Sequence, residues 1–327
     1  MHRPPPAFGV VAIGRNEGDR LKQCLGSVSD AEQIVYVDSG STDGSVKWAR
    51  DLGIEIVDLD LAIPFTAARA RNAGFRRLQD LAPDLNYVQF IDGDCELNKD
   101  WPDEALSFLG DNTTVAATFG RRRERFPERS IYNRLCDKEW DTPIGEASAC
   151  GGDVMMRVSA FRAVGGFRDA MIAGEEPELC VRLRALDWKI WRLDREMTRH
   201  DAAMVHFHQW WLRQTRSGYA FAQGAYLHGR RPERHWVWES GRALLWGIGF
   251  PIVLIGALIG LGWWGLVLLL VYPLQIIRRT TQMPGDLLNR LQFALLEQLS
   301  RFPEALGQLR FTRDWFSGRQ GRLIEYK

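Results

Sequence analysis

The chain has 327 residues, 46% of them hydrophobic and 25% charged, proportions that exclude a disordered, collagen-like or disulfide-scaffold protein. Its formal net charge is +1, which gives no electrostatic argument for nucleic acid as a partner. Five cysteines (Cys24, Cys95, Cys136, Cys150, Cys180) are scattered without a Cys-x-x-Cys pair, so reduced thiols in a cytosolic compartment are expected rather than a disulfide framework.

Residues 1–8 are expected to be a disordered N-terminal tail. Met1-His2-Arg3-Pro4-Pro5-Pro6 has no apolar run and does not read as a signal peptide. Residues 9–13 then read as a short buried strand and 14–18 as a loop. Residues 19–28 read as a helix with Leu21, Cys24, Leu25 and Val28 on one face. Residues 34–38 form a second strand. The polar turn Ser39-Gly40-Ser41-Thr42-Asp43-Gly44 follows, with Asp43 or Thr42 expected to cap a helix over 45–51. Residues 54–57, 66–81 and 87–91 continue as strand, helix and strand. Such alternation with short links implies the α/β class, with parallel strands joined by right-handed crossovers.

Residues 115–119 read as a strand. Arg121-Arg122-Arg123 reads as a solvated face in preference to a phosphate site. Cys150-Gly151-Gly152-Asp153-Val154-Met155-Met156 reads as a strand entered through glycines, which permit close backbone approach. A helix over 175–186 accepts Pro177 in its first turn, and 189–193 returns as a strand. Five of the six histidines fall between His200 and His235.

Charge vanishes over residues 243–277. This run exceeds the ~20 residues of one membrane helix, and Gly260-Leu261-Gly262 offers a bend within it. Arg230, Arg231, Arg234 and Arg242 precede it, and Arg278 and Arg279 follow. Basic residues mark the cytoplasmic side, so a transmembrane or re-entrant hairpin with both ends cytoplasmic is expected. Residues 278–327 interleave apolar and basic groups. They are expected as amphipathic helices on anionic lipid, with packing on the soluble part as the other reading.

Val88-Gln89-Phe90-Ile91-Asp92-Gly93-Asp94 joins an apolar β-rich run to two carboxylates. Buried unpaired, such acids are costly, so the strand is expected to open into a cleft and face a cation or a sugar-nucleotide. Ligands of open α/β sheets bind at the carboxyl ends of strands. Asp-x-Asp by itself also describes a plain turn.

The ordered set of blocks resembles the family 2 glycosyltransferases of the GT-A fold. Val10-Val11-Ala12-Ile13-Gly14-Arg15-Asn16-Glu17 is similar to the family's opening strand and Asn-Glu loop. Val37-Asp38-Ser39-Gly40-Ser41-Thr42-Asp43-Gly44 is similar to its nucleotide-binding turn, with Ser39 where a second acid is usual. Ala68-Arg69-Ala70-Arg71-Asn72-Ala73-Gly74 resembles its Ala-Arg-Asn-x-Gly helix start, and Asp92-Gly93-Asp94 its metal-binding triplet. Gly174-Glu175-Glu176-Pro177-Glu178-Leu179 resembles the acidic block that carries the catalytic base.

The resemblance implies a Rossmann-like GT-A domain over 9–235, followed by the hairpin (243–277) and the basic tail (278–327). It implies inverting transfer from a nucleotide-diphosphate sugar, by single displacement, to a lipid-linked or glycan acceptor. The cation would be Mg²⁺ or Mn²⁺, and the setting the cytoplasmic membrane with its lipids. Asn16, Glu17, Asp38, Ser39, Arg71, Asp92 and Gly93 would meet the nucleotide-sugar. Asp94, with Asp92 and His200, would hold the metal. Glu176 or Glu175 would be the base, with Glu176 standing where the family has Asp. Gln209-Trp210-Trp211-Leu212-Arg213 does not match the motif of processive synthases, so no pore-forming synthase is expected. Two rivals remain: a nucleotidyltransferase, for which 14–18 lacks the expected lysine, and a non-catalytic membrane-tethered nucleotide-sugar-binding protein.

Overall fold

The computed structural model describes residues 7–325, so most of the expected N-terminal tail, residues 1–6, lies outside the described residues. Phe8, assigned to that tail, is instead the first residue of a strand and is buried. The chain divides into two compact units. One takes in the chain through Arg129 and Cys136–Ala203; the other holds Ser130–Leu135 and everything from Met204 on. The sheet-bearing unit thus closes at Ala203 rather than at residue 235.

In the first unit the order is β1 (Phe8–Gly14), α1 (Asp19–Ser27), β2 (Gln33–Asp38), α2 (Ser45–Asp51), β3 (Glu55–Asp58), α3 (Ala67–Leu81) and β4 (Tyr87–Asp92). Next come β5 (Cys95–Leu97), α4 (Trp101–Asp111), β6 (Val115–Glu124), α5 (Ile131–Glu139), which straddles the division, and β7 (Gly145–Ala147). β8 (Val154–Arg157), α6 (Val158–Ala163), α7 (Glu175–Arg184) and β9 (Lys189–His200) complete it. The sheet runs β3-β2-β1-β4-β8-β6-β9-β5, with β7 also on β9. β1 to β4 are mutually parallel, and β8 is antiparallel to both β4 and β6.

Chain order reverses direction across the sheet at β1, because β2 and β3 lie on one side of it and β4 on the other. A ligand crevice forms at such a switch point, outside the carboxyl ends. The register there pairs Ile13 with Asp92 and Gly14 with Asp38, so both acids finish their strands at the same level. β1 and β4 are nearly continuous apolar runs because the sheet is covered on both faces. α3 packs closely on it: a Cβ on Gly74 would lie 2.4 Å from Val11 and 2.7 Å from Val37. Phe75, Phe90, Phe161 and Phe167 form one aromatic cluster, with Phe75 and Phe161 edge to face at 4.6 Å.

The sequence periodicity missed β5, α4, α5 and β7. α4 is anchored by a long-range bond from the buried Trp101 Nε1 to Gln89 Oε1 at 2.9 Å, which satisfies an amide inside β4. The expected caps of α2 are corrected as well. Gly44 is its cap residue, and Asp43 reaches past it to accept from Ser45 N at 3.0 Å and from Gly18 N at 2.9 Å.

The second unit is helical: α8 (Phe207–His228), α9 (Val237–Leu244), α10 (Phe250–Leu261), α11 (Val271–Gln282), α12 (Leu287–Leu299) and α13 (Arg301–Phe316). A π-helical turn joins α9 to α10, and a 3-10 stretch, Gly262–Leu270, joins α10 to α11. The chain reverses at Gly262, whose φ of +60° suits glycine. Beyond it Gly265 packs against the backbone of Ala257 and Leu258, and Tyr272 OH donates to Trp246 O at 3.1 Å. The apolar run is therefore a helical hairpin whose second arm returns along the first. Val237–Gln282 is long and apolar enough to cross a membrane, and little of its apolar window is buried, so it is a candidate membrane segment. Of the tail, α13 packs on α8 through Gly218 and Gly307. α12 leaves Leu287, Leu288, Leu291 and Leu295 exposed.

Candidate active site

At the carboxyl end of β2 the Asp38 carboxylate is satisfied within its own turn. Asp38 is buried, and its Oδ2 accepts from Gly40 N and Ser41 N, both at 2.8 Å. Its Oδ1 accepts from Ser41 Oγ at 2.5 Å and Tyr36 OH at 3.1 Å. Ser39 donates from N and Oγ to Gly14 O, at 3.1 and 3.2 Å. Asn16 joins the same turn, its Oδ1 accepting from Thr42 N at 2.7 Å and its N donating to Ser41 Oγ at 2.8 Å. Glu17 pairs with Arg20 at 2.7 Å. A Cβ on Gly93 would lie 3.4 Å from Glu17 Cγ and 3.0 Å from Ile13 O, so the Asp-x-Asp turn lies against this loop.

The carboxyl end of β4 is held by distant residues. Arg71, on α3 and 2% exposed, donates from Nη2 to Asp92 at 2.8 Å and from Nη1 to Glu175 at 2.8 Å and Glu176 at 2.9 Å. Asp92, Arg71, Glu175 and Glu176, four residues named from the sequence, are thus one cluster. Burial opposes the charge on Arg71, but Glu176, Asp92 and Glu175 outweigh it and raise its pKa. Burial likewise opposes ionisation of Asp92, but Arg71 and Arg122 outweigh it and lower its pKa. Glu176 differs. Burial first, then the neighbouring Glu175, push its carboxyl from the ordinary 4.5 up to about 7 against the pull of Arg71. A carboxyl poised near neutrality is suited to accepting and releasing a proton. Gly152 makes the cluster possible, because a Cβ there would lie 2.3 Å from Arg71 Nη2 and 3.1 Å from both Asp92 Oδ2 and Glu176 Oε1.

Asp94 belongs to a second set. Its Oδ2 is 3.2 Å from His200 Nε2, at the end of β9. His200 Nδ1 faces Glu124 at 3.8 Å, and its ring meets Trp140 edge-on at 4.9 Å. Donor atoms of Asp94, Cys95 and His200 all lie within 4.8 Å of one another, as do those of Asp92, Cys95 and Asp153. Burial raises the Cys95 thiol well above its ordinary pKa, and a thiolate is a soft ligand that suits a hard divalent ion poorly. Asp92 already faces two guanidiniums. The donor chemistry therefore fits a divalent ion on Asp94 and His200, with water filling the remaining positions.

Three residues of this site were missed. Arg122, expected on a solvated face, is largely buried and lies 3.3 Å from Asp92, 3.2 Å from Cys95 Sγ and 3.5 Å from Asp153. Its guanidinium also sits 4.9 Å from the Trp140 ring centroid. Within the arginine triplet only Arg123 is half exposed. Asp153 accepts from Asp92 N at 3.0 Å and from Thr198 Oγ1 at 2.8 Å. An acid directly after a Gly-Gly pair at the start of an apolar strand was the available signal for Asp153; for Trp140 there was none.

The model of glycosyl transferase family 2 matches residues 10–165, the stretch that carries the β2 turn, Arg71, the Asp-x-Asp triplet and Arg122. This region is a family 2 glycosyltransferase domain. The chain is 28% identical over 174 residues to the succinoglycan biosynthesis protein ExoA of Rhizobium meliloti, covering 50% of this chain and 52% of that one. It is 22% identical over 183 residues to the glycosyltransferase AglE of Haloferax volcanii, covering 52% and 58%. The chain thus spans about half the length of the curated relatives it matches. Among solved structures, the mannosyltransferase PcManGT of Pyrobaculum calidifontis, in complex with GDP-Man and Mn²⁺, has a TM-score of 0.63. That match covers 94% of this chain and 88% of that one at 17% identity. TarS of S. aureus has a TM-score of 0.51, covering 93% and 55% at 12% identity. These likenesses establish the GT-A fold.

Proposed function

We propose that this glycosyltransferase inverts, moving a sugar from a nucleotide-diphosphate donor to a lipid-linked or membrane-proximal glycan acceptor in one displacement. The observation that carries the reading is the Glu176 carboxyl, raised to about 7 and 2.9 Å from the guanidinium that also holds Asp92. Direct displacement needs a single base for the acceptor hydroxyl. Glu176 takes that proton as the hydroxyl oxygen attacks the anomeric carbon and the bond to the diphosphate breaks. Glu175, equally bound to Arg71 but more deeply buried, positions that arginine. Arg71 and Arg122, both on Asp92, supply fixed positive charge toward which a departing diphosphate is drawn. Asn16, Glu17, Asp38 and Ser39 frame the nucleoside side of the crevice, and Gly93 lets the β4 turn approach it.

Asp94 and His200 would hold Mg²⁺ or Mn²⁺, which when bound neutralises charge on the diphosphate. ExoA is named for the biosynthesis of succinoglycan, and PcManGT was solved with GDP-Man and Mn²⁺. Both facts support a polysaccharide-type product, hexosyl transfer and a metal-dependent donor site here. The hairpin, its basic flanks and the exposed leucines of α12 support attachment at the cytoplasmic face of a membrane.

The test is nucleoside diphosphate release by the full chain over a panel of sugar nucleotides with Mn²⁺, comparing wild type with E176Q. E176Q is expected to lower turnover roughly 10²- to 10⁴-fold while still binding donor. Loss in E175Q with E176Q active would move the base to Glu175. Pyrophosphate as the product would make the protein a nucleotidyltransferase.

A further inference from the structure

At the open end of the hairpin, where both arms meet, lies a small cavity of about 150 Å³ that the transfer chemistry does not use. Arg242 from the end of the first arm and Arg278 and Arg279 from the end of the second line it, with Arg301 of α13. Two of these charges are neutralised. Arg279 pairs with Glu297 at 2.7 Å, and Arg301 pairs with Glu304 at 2.9 Å and Glu297 at 3.4 Å. Among the described residues Arg242 and Arg278 have no ion-pair partner. Two lining donors, Arg242 Nε and Gln298 Nε2, are buried with no hydrogen-bond partner. Buried donors without acceptors are costly, and native structures rarely leave them so unless a ligand or water satisfies them.

We propose that this cavity binds the phosphate of a membrane lipid. Guanidiniums fork onto phosphate oxygens, an excess of cationic donors calls for an anion, and the amide of Gln298 adds a neutral donor. The location specifies the source. Arg242, Arg278 and Arg279 border the uncharged arms, and Trp246 lines the cavity beside them, the depth at which headgroup phosphates and interfacial tryptophans meet. Lipid phosphate on Arg242 and Arg278 then ties both arms of the hairpin to one headgroup. The inference rests on the membrane reading of the hairpin, and the experiment separates the two.

The test measures the melting temperature of the full chain in detergent, titrated with short-chain phosphatidic acid, short-chain phosphatidylcholine or inorganic phosphate. Wild type is compared with R242Q/R278Q. Phosphatidic acid is expected to raise the Tm saturably, as a ligand of the native state does, and the double variant to lose that response. Neither arginine has a native ion pair to lose; should the double variant still be unstable, R278Q alone is expected to weaken apparent affinity roughly tenfold. An equal response in wild type and variant overturns the site. A response to inorganic phosphate but not to phosphatidic acid overturns the lipid source. If the chain proves soluble without detergent yet the arginine-dependent response persists, the membrane reading falls and the phosphate site stands. If detergent is required and the response is absent, the reverse holds.

Discussion

Asp38 and Asp92 end neighbouring strands of the same crevice and are held in opposite ways. Every partner of the Asp38 carboxylate lies within three residues of it. The Asp92 carboxylate is held by Arg71, 21 residues away, and Arg122, 30 residues away, and Arg71 in turn reaches 105 residues along to Glu176. The Asp38 carboxylate is therefore satisfied by its own turn, whereas the β4 end is a balance of buried charges assembled by the whole domain. Removing a member of the first costs a hydrogen bond. Removing a member of the second leaves unpaired buried charge, which is far more expensive.

The sharpest way to break that contrast is R71M. It strands Glu175 and Glu176 and leaves Asp92 only Arg122, and it is expected to cost about 3–5 kcal/mol of unfolding free energy and to abolish transfer. Denaturant unfolding measures the first. A loss under ~1 kcal/mol would mean that the cluster behaves as a surface ion pair.

The pH dependence comes next. Glu176 must be ionised to act as base, so turnover is expected to rise with pH through about 7. Its stability effect has the opposite sign. Because its folded pKa is raised, the group stabilises the native state below its ordinary 4.5 and that contribution is lost as pH rises to about 7. E176Q should therefore flatten the fall of Tm between those two pH values while remaining inactive. An unchanged slope would remove Glu176 as the group with the raised pKa.

R122Q is expected to act in between. It unpairs Asp153, whose side chain is fully buried, and weakens the grip on Asp92, at a cost of roughly 2–3 kcal/mol with kcat falling more than the donor KM rises. The smallest effect is expected for D38N, about 1 kcal/mol, seen as a higher donor KM with kcat nearly kept. A larger loss than R122Q would overturn the ranking of the two strand ends.

The legible parts of the site share one property: each was announced by residues adjacent in sequence. Asp92-Gly93-Asp94, the Asp38 turn and the Glu175-Glu176 pair stand out because an apolar run or a helix start brings polar groups to a fixed place. Arg122 was misread for the same reason. In the sequence it is the middle of three arginines, and nothing local distinguishes it from Arg123, which is half exposed and pairs with Glu196. Strand alternation, shifted by bulges between β6 and β9, turns it toward Asp92 and Asp153. α4 and β5 escaped because Trp101 and Cys95 find their partners across the fold, on Gln89 and on β9.

The sequence alone determined the α/β class, the parallel half of the sheet, the acids at the strand ends and the uncharged hairpin, since all of these follow from hydrophobic period and short-range polarity. Tertiary structure decided which charge meets which. It placed Arg71 on three acids, turned Arg122 inward and brought His200 onto Asp94. It also carried α8 into the helical unit, and brought Arg242 and Arg278 to one cavity. The physical reason is that a buried ion pair is specified by where two elements meet in space, and the partners of Arg71 and Asp92 here lie 21 to 105 residues apart, beyond the reach of any local pattern.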